Sequence, residues 1–92
     1  MMAVWGGNEC GEWRTIVAVK SKVALREILG ISRGETDSYW AETGNKAEIA
    51  LAMTAPGVPW HKGLGMWWWP RGEGWHAGTG FGCPRCLAWR LR

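Results

Sequence analysis

After Val58 the chain contains neither isoleucine nor valine, and glycine and tryptophan take their place. A segment without β-branched aliphatics has little from which to build an ordinary buried strand. The 92 residues include one tyrosine and one phenylalanine against nine tryptophans. Three cysteines are an odd number, which excludes a fully paired disulfide framework. No apolar run approaches the roughly 18 residues of a membrane-crossing helix. The N-terminus shows no basic region followed by an apolar one, so a cytoplasmic location with reduced thiols is expected. Acids are scarce from Trp60 onward: Lys62, Arg71, Arg85, Arg90 and Arg92 face only Glu73. Before Trp60 six basic residues meet seven acids, so the net charge of +3 belongs to the tail. That distribution, with acids balanced by bases and not arrayed in a block, argues against an acid-rich mimic of DNA. No spacing suggests a Ser/His/Asp or Cys/His nucleophile. The glycines of 78–82 have no Lys-Ser/Thr after them, as a phosphate loop would require. These absences favour a protein that is not an enzyme.

A chain of this length has material for one core, so a single domain over residues 1–92 is expected, with a body at 13–60 and a tail at 61–92. Such a domain is marginal unless a metal, a partner or dense aromatic packing supplements it. Within the body, Trp13-Arg14-Thr15-Ile16-Val17-Ala18-Val19-Lys20 reads as a central strand. Ser21 caps a helix with Leu25, Ile28 and Leu29 on its apolar stripe, and Gly30 ends it. Ser32 and Glu35 have capping-box spacing for a second helix, which would bury Tyr39 and Trp40 and stop at Gly44. Asn45 and Glu48 open a third, burying Ile49 with Leu51 or Met53 and ending at Pro56. Val58-Pro59-Trp60 suggests a short edge strand, because Pro59 lacks an amide hydrogen. The expected fold is α+β, a small sheet carrying about three short helices. The tail would form a glycine-turned hairpin through Trp67-x-Trp69 and Phe81, or an irregular aromatic wrap. An altered-frame origin would also account for its abrupt composition.

Three features carry chemical meaning. The stretch from Leu25 to Tyr39 has the outline of a helix–turn–helix unit, which would present Arg33, Thr36 and Ser38 to nucleic acid. Arg26 stands where such units need a small residue, and Glu35 and Asp37 would repel phosphate, so two packed helices over a sheet is the plainer reading. Cys83-Pro84-Arg85-Cys86 can place two thiolates on one zinc ion, with His76, His61 or Cys10 to complete the set. This is half of a zinc signature, and unligated thiols are the alternative. The same spacing serves redox enzymes, but no βαβ pattern follows it here. The tryptophans either form a second core layer or, beside arginines, an interface. Trp67, Trp68 and Trp69 cannot all point one way, so one or two should be exposed. Trp67, Trp68, Arg71, Trp75 and Arg90 are the expected partner contacts.

Residues 14–60 resemble small accessory proteins of phages and mobile elements. The resemblance rests on Arg14-Thr15-Ile16-Val17-Ala18, Leu29-Gly30-Ile31-Ser32, Tyr39-Trp40, Glu42-Thr43-Gly44-Asn45, Glu48-Ile49-Ala50-Leu51-Ala52 and Pro56-Gly57. It covers about half the chain, and its motifs are caps and turns. It implies a non-catalytic inhibitor or modulator of a host protein or protein–nucleic-acid complex, such as a CRISPR or other anti-phage defence system. A nucleic-acid-binding regulator is the competing expectation, and a zinc-stabilised mini-domain a third. Self-association is compatible with each, and no membrane is involved in any.

Overall fold

In the computed structural model, residues 2–9, 11–65, 67–80 and 82–91 are described, without the side chain of Arg90. Cys10, Phe81 and that side chain therefore lie outside the described residues, and with them three of the sequence expectations. The elements run β1 (Ala3–Glu9), β2 (Trp13–Val19), α1 (Lys22–Leu29), α2 (Arg33–Tyr39), β3 (Trp40–Glu42), α3 (Lys46–Met53), β4 (Trp60–Gly63), β5 (His76–Ala77) and α4 (Pro84–Arg90). The strands form one sheet in the order β3-β1-β2-β4-β5, every neighbouring pair antiparallel. The fold is mixed α+β.

β2 is central, and every residue in it except Arg14 is buried. Strand alternation gives the sheet two faces. On one face, Val17 and Val19 of β2 meet Leu25 of α1, with Trp40, Leu29 and Ile31 packed around them. Farther along the same face, Trp13 meets Trp68, Cys83 and Cys86 of the tail. On the other, Val4, Ile16 and Ala18 pack against Ala52 of α3, with Ile49, Leu51, Trp60 and Trp75 beside them. The tail therefore covers half of one face and contributes Trp75 to the opposite one.

The helix punctuation follows the sequence closely. Ser21, Ser32 and Asn45 each accept the backbone N–H three residues on, and Gly30 caps α1 in the left-handed region at φ 66°. Glu48 does not complete a reciprocal cap. Its carboxylate takes a bidentate pair of hydrogen bonds from Arg14 at 3.0 and 3.1 Å and a third from the Thr43 hydroxyl at 2.7 Å.

Several expectations are corrected. α2 ends at Tyr39, five residues before Gly44, because Trp40 turns into β3 and pairs with Gly7. That turn buries Trp40 but leaves Tyr39 72% exposed. Ile28 and Met53 also face solvent, while Ile49 and Leu51 are partly buried. β4 begins at Trp60 and is not an edge strand, since β5 pairs along its outer side. Strand β1 was not anticipated. Its Gly6-Gly7 pair looks like a loop, yet Gly7 is needed: a Cβ there would stand 2.5 Å from the Trp40 ring, while one on Gly6 would meet the movable Arg14 guanidinium. Trp67 to Trp69 form a turn and not a hairpin strand, and α4 replaces the expected irregular ending.

Candidate metal centre

His61 and His76 are a directly opposed cross-strand pair between β4 and β5. Residues paired in this way project to the same side of a sheet. Cys83 is the N-cap of α4 and Cys86 lies in its first turn, with Pro84 at the start of the helix. Proline is favoured at that position because no hydrogen bond is needed from it. Three positions along a helix start bring both sulfurs to one side. The result is a cluster of His61, His76, Cys83 and Cys86 whose ligand atoms all lie within 4.8 Å of one another, every side chain buried.

The inner distances are those of a small coordination shell. His61 Nε2 is 3.2 Å from Cys86 Sγ, and His76 Nδ1 is 3.6 Å from Cys83 Sγ and 3.7 Å from Cys86 Sγ. Zinc bonds of about 2.3 Å to sulfur and about 2.0 Å to nitrogen give tetrahedral edges of roughly 3.3–3.8 Å. This buried His/Cys group can hold a metal ion.

The outward atoms of both imidazoles are engaged. His61 Nδ1–H donates to the Gly78 carbonyl at 2.7 Å, and His76 Nε2–H donates to Glu73 Oε1 at 2.7 Å. Each bond fixes the tautomer that aims a lone pair inward, as carbonyl and carboxylate partners do for metal-binding histidines. Arg85 donates to the same Glu73 oxygen at 3.2 Å. The His76 hydrogen bond first, with Arg85 adding to it, keeps Glu73 below the usual carboxylate range.

Charge in the cluster is unevenly shared. Burial pushes the Cys86 thiol up to about 12, the neighbouring Cys83 sulfur adds to the rise, and a hydrogen bond from Trp13 opposes it. Burial also resists ionisation of Cys83, but the amides of Cys86 and Arg85 and the His76 and Cys86 side chains outweigh it and leave its thiol below the ordinary value. Burial lowers His61, which keeps its ring neutral. Two adjacent buried thiolates repel each other, and a divalent cation between them removes that cost.

Tryptophans form the walls. Trp69 and Trp89 stand 5.1 and 5.5 Å from the His76 ring, and Trp13 meets Trp68 edge-on at 5.7 Å. Two glycines seat these rings. A Cβ on Gly63 would lie 2.5 Å from Trp69, and one on Gly80 would enter the Trp13 indole.

The sequence pairing of Cys83, Cys86 and His76 is thus brought together, and His61 is the fourth member. Glu73 was not anticipated, although its place three residues before His76 is the available signal. The expected partner residues scatter. Trp67 is 78% exposed, whereas Trp68 is only 6% exposed because it closes the layer over Trp13. Trp68 therefore has almost no surface to offer a partner. Trp75 is half-buried on the far face of the sheet, with Lys62 above its ring, and Arg71 is exposed. In the helix pair, Arg33 and Ser38 are exposed, but Thr36 is buried and its hydroxyl donates to the Ser32 carbonyl. Thr36 cannot reach a base from there. No helix is long and apolar enough to cross a membrane among the described residues. No family model, curated protein or solved structure matches the chain.

Proposed function

We propose that this chain is a small, non-catalytic binding module whose tail is folded around one structural zinc ion held by His61, His76, Cys83 and Cys86. The observation that carries the reading is the inward convergence of four buried ligand atoms, with both outer imidazole nitrogens already tied to acceptors. Two sulfurs and two nitrogens suit zinc. Four protein ligands leave no coordination position for water or substrate, which favours a structural role over a catalytic one. The composition supports the same view, since a tail without isoleucine or valine needs another source of cohesion. Stoichiometric modulation of a host macromolecular complex remains the biological role we favour, on the resemblance of residues 14–60 to phage accessory proteins.

The test is metal content and its consequence. Protein purified without added metal should carry one zinc per chain in native mass spectrometry. A strong chelator should remove it and sharply reduce the near-ultraviolet tryptophan signal, as expected where metal binding is coupled to folding. Metal-free protein with an unchanged tryptophan signal would overturn the reading.

A further inference from the structure

A cleft of about 570 Å³ opens between the tip of the β1–β2 hairpin and the α1–α2 pair, lined by Glu9, Leu29, Ile31, Glu35, Tyr39 and Trp40 among others. It belongs to the body of the protein and shares no residue with the metal cluster. Its walls are two aliphatic side chains and two aromatic rings. Its described charged residues are both acids, in a chain whose net charge is +3. Neither acid has a cationic partner among the described residues. Glu9 is anchored by the Thr15 hydroxyl and by the Gly80 amide at 3.4 Å. An ionised carboxylate has about four acceptor positions, so Glu9 can still take further donors. Among the described residues, the Glu35 side chain meets the Ser32 hydroxyl alone, at 3.3 Å. Tyr39 lies one helical turn beyond it, on the same side of α2.

The geometry points to this cleft as the docking site for an arginine side chain presented by a partner protein. The guanidinium is planar, donates in a fork to carboxylates and stacks on aromatic faces. Its three-carbon stem covers apolar wall such as Leu29 and Ile31. A purely apolar occupant would strip water from both carboxylates and leave their remaining acceptor positions unfilled, which is costly. A phosphate or nucleic-acid occupant would be repelled by them. The inference extends the binding-module reading by naming the partner's chemistry, and it does not rest on the metal.

The experiment uses the full-length, metal-loaded, 15N-labelled protein and the peptide acetyl-Ala-Arg-Ala-amide, with norleucine and glutamate versions for comparison. The arginine peptide should shift the amide resonances of Glu35, Tyr39 and Trp40. The norleucine peptide should bind roughly tenfold more weakly, the value of one charge-assisted hydrogen-bond pair, and the glutamate peptide should produce no shift there. Glu35→Gln keeps the backbone cap at Ser32, so it should weaken arginine binding several-fold without altering the fold. Tyr39→Ala, at an exposed position, should do the same. Equal binding of the arginine and norleucine peptides, or no shift at these amides, would overturn the proposal. A well-dispersed spectrum from metal-free protein would count against the zinc reading alone and leave this comparison intact.

Discussion

At the scale of single residues, the tightest constraints are where an aromatic ring lies on a glycine. Gly63 and Gly80 have room for no side chain because Trp69 and Trp13 occupy it. Gly80→Ala should therefore destabilise the protein by about 1–3 kcal/mol, the usual cost of overpacking, measurable by denaturant unfolding of the metal-loaded form. On the opposite face, Arg14 and Thr43 hold the Glu48 carboxylate, with Arg14 the larger influence, and its pKa falls below the ordinary 4.5 despite burial. A depressed folded-state pKa contributes stability that is complete above about pH 4.5. That contribution is lost as pH falls through the folded value. Glu48→Gln should flatten this part of the stability profile in acid. A mutant profile parallel to the parent's below pH 4.5 would contradict that assignment.

Among the elements, caps were the legible part. Ser21, Ser32, Gly30 and Asn45 act on their own neighbours, so local sequence suffices to place them. Asn45→Ala should cost about 1 kcal/mol, since it removes the bond to the Glu48 amide, and thermal unfolding would register it. What could not be read locally depends on partners distant in sequence. Gly6 and Gly7 become strand residues by pairing with β2 and β3, and the Trp40 ring fills the space above Gly7. Trp40 leaves the helix because β1 offers it a strand to pair with. α4 opens on Pro84, holds one cysteine and shows no long apolar period, so local sequence does not announce its helix. The metal cluster lies between these cases. Its Cys-x-x-Cys half is visible at fixed spacing, while His61 joins only through the pairing of β4 with β5, 15 residues apart in register. Three consecutive tryptophans do not reveal which one the sheet will cover, and the structure covers Trp68.

For the whole molecule, the tail is joined to the body through the pairing of β4 with β2 and through contacts on both sheet faces. Trp13 of the central strand touches Cys86, and Glu9 of the first strand accepts the Gly80 amide. The cluster ties β4 and β5 to α4, so metal removal should loosen residues 60–91 before the rest of the sheet opens. Hydrogen exchange in chelator should show early loss of protection in β4, β5 and α4, with β1, β2 and α1 retained longer. Simultaneous loss throughout would mean that the two halves form a single cooperative unit. Acid should weaken metal retention, because protons compete for the two sulfurs and two imidazoles. The most direct test of the central claim is X-ray absorption at the zinc edge on the purified protein. A shell of two sulfurs at about 2.3 Å and two nitrogens at about 2.0 Å is the predicted result. A shell of nitrogen and oxygen alone, or protein devoid of zinc after purification in its presence, would contradict it.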